Sequence, residues 1–374
     1  MSNGNPVVEW LKTMVERKAS DLFLTAGFPP ALKLDGRVVP LSEQKLSATE
    51  TQALAKSVMT DKQWNGFVNG KEANFAIHDD STGRFRVSAF MQQGRVGIVF
   101  RTINTQIPEI GTLHLPPILK DIAMMPRGLV LMVGATGSGK STSLAAMIGY
   151  RNQRRADHIL TVEDPIEFVH QHNHSIITQR EVGSDTEDWH TALKNSLRQA
   201  PDVILIGEIR ERSIMEFALS YAETGHLCLS TLHANNANQA IERLLSFFPL
   251  ERRDQLLLDL SMNLRAIVSQ RLVPRLDGKG RIPAVEVLMG TPLISDLILK
   301  NRLDEIKDLM SRSRELGMQT FDQSLYDLFD IGAISAEDAL RHADSFNDLR
   351  LRIKLRGQES DDASIRTPDQ LGVV

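Results

Sequence analysis

Gly134-Ala135-Thr136-Gly137-Ser138-Gly139-Lys140-Ser141 follows the spacing G-x-x-x-x-G-K-[ST]. Glycines let a backbone wrap an anion with its N–H groups turned inward. Lys140 would supply a point charge to the β- and γ-phosphates, and the Ser141 hydroxyl a ligand for Mg²⁺. The chemistry predicted is binding of ATP with Mg²⁺, on Gly134, Ala135, Thr136, Gly137, Ser138, Gly139, Lys140, Ser141 and Thr142. The flanks agree. An apolar run, Gly128–Val133, predicts a strand before the loop, and Thr142–Tyr150 a helix after it, with Leu144, Met147 and Ile148 on one face.

Phosphoryl chemistry also needs carboxylates to hold metal and polarise water. Two apolar runs end in acid, where ligands bind in open α/β sheets. Val203–Ile206 is followed by Gly207-Glu208, and Ile159–Val162 by Glu163-Asp164-Pro165. Glu208 suits water-mediated metal contact or orientation of the attacking water; Glu163 leaves its strand just before a proline stop. Acidic residues also cap loops after strands for purely structural reasons, so each assignment leans on the phosphate loop.

His226 and His233 flank the short run Leu227–Thr231. Seven residues apart across a strand, they could meet at its ends or point elsewhere. No further ligands of suitable spacing surround them for zinc. Cys228, inside the run, reads as a small buried apolar residue. Arg84, Arg86, Arg95 and Arg101 fall on adjacent predicted strands, with Arg84 and Arg86 on one face. Spacing alone favours a solvated sheet face over arginine fingers.

Around these residues the chain divides by texture. Residues 1–104 read as an α+β domain: a helix at Val7–Lys18, a strand at Asp21–Thr25, a hairpin turning at Asp35-Gly36, a helix at Leu46–Met59 opened by Ser47, and a strand meander through Glu72–Ile77, Gly83–Phe90 and Arg95–Ile103. Gly, Pro and Thr cluster in a linker, 105–117. Residues 118–356 predict a doubly wound α/β sheet on Leu129–Val133, Ile159–Val162, Val203–Ile206 and Leu227–Thr231. Beyond Ala234 the chain reads as largely helical, with helices at Asn238–Phe247 and Arg253–Arg271; residues 357–374 read as a disordered tail.

The 374 residues suffice for two domains with cores of their own. A net charge of −4 gives no positive field for nucleic acid or an anionic membrane, and no run is long and apolar enough to span a bilayer. Met1–Trp10 lacks the pattern of a signal peptide, and one cysteine excludes an internal disulfide or a cysteine zinc cluster. The expectation is a cytoplasmic protein without direct membrane insertion.

From about Lys18 to Leu351 these segments, in this order, resemble the type IV pilus retraction ATPases, the PilT/PilU group of the secretion-type AAA+-like superfamily. The resemblance rests on Ala19-Ser20-Asp21-Leu22, Gly27-Phe28-Pro29-Pro30, Arg84–Val87, Phe100–Ile103 and the phosphate loop. It continues through Glu163–Phe168, Gly207–Arg210, Ala222–His226, Thr231–His233 and Gly317–Thr320. It implies an N-terminal PAS-like domain, a RecA-like P-loop ATPase domain and a homo-hexameric ring. Glu163 would fall in the Asp-box region and Glu208 in the Walker B motif. His226 and His233 would form a His box reading the γ-phosphate. Arg86 and Arg101 would be the arginine fingers, ahead of Arg84 and Arg95. The implied partners are a paralogous retraction ATPase and an inner-membrane platform protein at the pilus base, peripheral to the membrane.

Two departures matter. The principal retraction type carries two arginines in a helix where this chain reads Pro292-Leu293-Ile294-Ser295-Asp296-Leu297-Ile298-Leu299-Lys300, and Phe23 replaces its usual histidine. With Phe329–Ser335 and the polar C-terminal extension, they point to the accessory, PilU-type branch. Three competitors are a regulatory nucleotide-binding ring subunit, a pilus-assembly or type II secretion ATPase, and a DNA translocase. A single cysteine argues against the second, whose members commonly carry a tetracysteine module; the lack of basic character argues against the third.

Overall fold

The structure, a computed structural model, describes residues 5–34, 36–79, 82–103 and 106–365, with side chains as far as Arg356. Asp35 of the expected hairpin, Thr105 of the expected linker and residues 366–374 of the expected tail lie outside the described residues. The chain forms two compact units. One comprises Met1–Ile107, Val162–Gln171 and Gln179–Ala192; the other comprises Pro108–Thr161, His172–Thr178 and Leu193–Val374.

In the first unit, β1 (Asp21–Thr25), β2 (Ala31–Leu34), β3 (Arg37–Pro40), β4 (Glu72–Asp79), β5 (Gly83–Gln92) and β6 (Arg95–Ile103) make one antiparallel sheet. Its order is β3-β2-β1-β6-β5-β4. Alternation sets the two faces: Phe85, Val87 and Ala89 of β5 are buried, while Arg84, Arg86 and Ser88 stay half-buried on the other side. The apolar face packs with helices Pro6–Glu16 and Ala48–Val58 around Leu11, Met14, Leu22, Leu54 and Phe100. Ser47 starts the second helix as expected, closing a capping box with Glu50. A third helix, Asp61–Gly70, was not expected; the matching box, Thr60 with Gln63, is its sequence signal.

The second sheet contains β7 (Gly128–Val133), β8 (His158–Glu163), β9 (Ile176–Glu181), β10 (Val203–Ile206), β11 (Leu227–Leu232), β12 (Leu264–Pro274) and β13 (Arg281–Met289). Its order is β13-β12-β7-β11-β10-β8-β9. β12, β7, β11 and β10 run parallel to one another, and β13 is antiparallel to β12. Every residue of β7, β10 and β11 is buried, which explains their unbroken apolar sequences. The fold is mixed α/β.

Four expectations need correction. The helix read over Arg253–Arg271 ends early: Leu250–Asn263 is helical, and the chain then enters β12, whose Ile267, Val268 and Val273 are β-branched and fully buried. The C-terminal part is therefore a strand pair followed by helices. Phe321, Leu325 and Leu349 of those helices, with Ile334 between two of them, pack on Val273, Ile282 and Ala284. The described part of the expected linker, 106–117, is not free chain, because Ile110 is buried in the core of the second unit with Leu113 and Leu115 against it. The predicted ATPase block is interrupted: Val162–Gln171 and Gln179–Ala192 belong to the first unit, where Glu181 pairs with Arg84. Lastly, the helix Phe346–Ile365 runs on through Gly357, carried by good helix formers such as Gln358, Glu359 and Ala363.

Candidate functional site

The phosphate loop leaves the carboxyl end of β7 and closes at helix Lys140–Asn152. Gly134, Gly137 and Gly139 have φ of 153°, 77° and 90°, a region side chains rarely adopt. Gly139 caps the helix in the left-handed conformation, so the helix N-terminus opens on the loop. The Lys140 ammonium is folded back, donating to the carbonyls of Gly134 at 2.7 Å and Ala135 at 2.9 Å. Burial lowers its pKa, opposed by the Glu208 carboxylate.

Glu208 follows β10, beside the carboxyl end of β11. Hydroxyls set this junction: Ser230 Oγ donates to the Ile206 carbonyl at 2.8 Å and Thr231 Oγ1 to that of Gly207 at 2.6 Å. The Ile209 N–H returns to the Thr231 carbonyl. So held, Glu208 has both oxygens engaged, one 3.2 Å from His233 Nε2 and the other 2.8 Å from Arg210 Nε. The structure thus brings Lys140, Glu208 and His233 to one end of the sheet.

His226 stands at the other end. It precedes β11, and its carbonyl accepts the N–H of Gly128, the first residue of β7. Its ring contacts Thr224 Oγ1 and the Tyr221 carbonyl. Within one chain the six residues of β11 put about 20 Å between His226 and His233. The expectation that both read one γ-phosphate is corrected for the single chain. Burial pushes the Cys228 thiol up, in keeping with its reading as an apolar core residue.

Sequence reasoning missed the polar residues of β12 and β13. Gln270 Nε2 donates to the Ser138 carbonyl, and Gln270 Oε1 accepts from Ser143 Oγ. Arg271 bridges the carbonyl of Asn235, that of His342 and the Asp344 carboxylate, and stacks on Phe321. Glu286, deeply buried, accepts from the Ala237 N–H at 2.7 Å and from Ser269 Oγ at 3.1 Å. Burial raises its pKa to about 7, against the pull of the Ala237 N–H. The only signal for these residues is polarity inside otherwise apolar strands. A cavity of about 310 Å³ adjoins Gly134–Ser138 and is walled by Asn235, Gln270, Arg271 and His342.

In the first unit, Arg86 and Arg101 face each other across β5 and β6. Arg101 Nε bonds the buried Asp21 carboxylate at 2.8 Å, whereas Arg86 makes no side-chain hydrogen bond or ion pair among the described residues. Arg84 is committed to Glu181 at 3.5 Å. Glu163 ends β8; its carboxylate accepts from Gln179 Nε2 at 3.3 Å and its carbonyl from the Val182 N–H.

The loop fits a nucleotide's phosphates: three left-handed glycines, a desolvated lysine, and a buried Ser138 hydroxyl that makes no hydrogen bond among the described residues. Ser141 is exposed at the helix start, where a metal ion could reach it. Among the described residues no cluster of three or more His, Cys, Asp or Glu could hold a metal alone, so Mg²⁺ would need phosphate oxygens and water as well. No helix among them is long and apolar enough to cross a membrane.

The family described as type II/IV secretion system protein matches residues 9–320. The type IV pilus ATPase PilU of Pseudomonas aeruginosa is 59% identical over 94% of this chain and 92% of its own length. The type IV pilus retraction ATPase PilT of the same organism is 40% identical over 90% of this chain and 98% of its own. A crystal structure of the pilus retraction motor PilT with bound ADP superposes with a TM-score of 0.86 at 41% identity, covering 92% of this chain and 98% of that one.

Proposed function

The chain belongs to the type II/IV secretion system protein family, and from that premise we propose that it is an ATP-hydrolysing motor of type IV pilus retraction, acting as the accessory partner of a paralogous ATPase. The observation that carries the reading is the cluster at the carboxyl ends of β7, β10 and β11. There a phosphate loop holds Lys140 in reach of the field of Glu208, and Glu208 is gripped by His233 and Arg210. Similarity to PilU and PilT supplies the pilus.

In this reading Lys140 and the loop N–H groups bind the β- and γ-phosphates of ATP. Ser141, with Glu208 through water, would hold Mg²⁺, which neutralises charge on the phosphate oxygens. Water attacks the γ-phosphorus, the bond to the β–γ bridging oxygen breaks, and the water proton passes to Glu208 or Glu163. Arg86 and Arg101 neutralise charge developing on the transferred group. His233 orients Glu208. The units correspond to a PAS-like and a RecA-like domain, and six copies form a cytoplasmic ring at the inner-membrane platform, removing pilins from the fibre base.

The test is ATP binding and turnover by the full chain. Lys140→Ala should lose nucleotide binding by about 100-fold or more, while Glu208→Ala should keep binding and lose about 10²–10³ in turnover. Normal turnover by Glu208→Ala would refute its role. Retraction in cells lacking the paralogue then separates an accessory motor from a self-sufficient one.

One observation favours a second reading, a regulatory ring subunit. Helix Pro292–Leu299, the stretch in which the principal type carries two arginines, holds none here and presents Leu293 and Leu299, 63% and 47% exposed. Turnover seen only in mixtures with the paralogue would favour that reading.

A further inference from the structure

Gln270 lies in β12, 127 residues from the helix it touches, and is only 3% exposed. Its amide is used at both ends. Nε2 donates to the Ser138 carbonyl at 2.8 Å, and Oε1 accepts from Ser143 Oγ at 2.7 Å. Ser143 is itself buried in the first turn of helix Lys140–Asn152. The same residue presses on both ends of the loop. Its main-chain carbonyl lies 2.6 Å from where a Cβ on Gly134 would stand, and its Nε2 lies 2.6 Å from where one on Gly139 would stand.

We infer that Gln270, with Ser143, is the positioning residue that holds the phosphate loop open before nucleotide arrives. An open loop turns several N–H dipoles toward one point and keeps Lys140 beside them, an arrangement that repels itself until an anion fills it. Lys140 relieves part of this by donating to Gly134 and Ala135 from within. Gln270 braces the loop from outside, its single amide supplying both the donor toward Ser138 and the acceptor toward Ser143. Once phosphate oxygens are in place they organise the N–H groups themselves. The brace therefore acts on binding and not on the chemical step.

The inference rests on the proposed ATP site, so the experiment includes Lys140→Ala. Steady-state ATP hydrolysis and ADP titration are measured on the full chain carrying Gln270→Met, Ser143→Ala or Lys140→Ala. Gln270→Met keeps length and burial but loses both hydrogen bonds; KM and the ADP dissociation constant should rise about tenfold with kcat held within about twofold. Ser143→Ala loses one bond and should raise both about threefold; it carries the test if the first variant does not fold. Loss borne by kcat, or unchanged KM in both variants, overturns the inference while a dead Lys140→Ala leaves the ATP site standing. Wild-type behaviour by Lys140→Ala overturns the ATP site and the inference with it.

Discussion

β11 carries a histidine at each end, and the two ends have different chemistry. At the carboxyl end His233 touches a carboxylate, Glu208, fixed through Ser230, Thr231 and Arg210 and felt by Lys140. At the amino end the His226 ring bonds, among the described residues, Thr224 and the Tyr221 carbonyl, at the close of helix Arg212–Glu223. One end gathers charges from three strands; the other finishes a local turn. Two residues of one sequence motif need not share a site, because a strand between them carries them to opposite edges of the sheet.

The largest effect that comparison predicts is on turnover. His233→Ala removes a contact to Glu208 and should lower kcat by about 10- to 100-fold, whereas His226→Ala should leave kcat and ADP affinity within about twofold. An equal loss in both would break the comparison and place His226 at a site supplied by a second copy. A smaller effect separates two glycines of the loop. At Gly139 a Cβ would be strained by φ of 90° and would meet Gln270 at 2.6 Å; at Gly137 φ is 77° with nothing within 4 Å. Gly139→Ala should weaken ADP binding about tenfold, and Gly137→Ala clearly less, since strain of about 1–2 kcal/mol acts alone there. Calorimetric titration ranks the two, and a reversed order would remove Gln270 from the argument.

What was legible in the sequence was what is contiguous. The phosphate loop is eight successive residues, and β7, β10 and β11 announce themselves by unbroken apolar runs. Lys140, Glu208 and His233 were found because each sits just past such a run. β12 was taken for the end of a helix, since its apolar residues follow directly on Leu256, Leu257 and Leu260 and a short apolar run does not reveal its period. That error hid Gln270, and reading the chain beyond Ala234 as largely helical hid Glu286; their partners lie 127 and 49 residues away. Arg86 and Arg101 were placed on neighbouring strands, but only register sets them opposite each other and gives one of them Asp21.

Glu286 supplies the smallest effect and sharpens the picture of the carboxyl end. It holds the N–H of Ala237, four residues beyond His233, and Ser269, the neighbour of Gln270. Its pKa is raised to about 7 by burial and by Asp344, against Ala237, Lys307 and Ser269. An unfolded glutamate titrates near about 4.3. Between these values the folded chain keeps a proton that the unfolded chain has lost, so stability falls as pH rises through that window and levels off above about 7. Glu286→Gln is neutral throughout, and its carbonyl oxygen can accept the same two hydrogen bonds. The melting temperature of the wild type should therefore drop by a few degrees more than that of the variant between pH 5 and pH 8. Parallel pH profiles would mean that Glu286 is ionised in the fold, with Lys307 and the helix N-terminus at Ala237 enough to hold its charge.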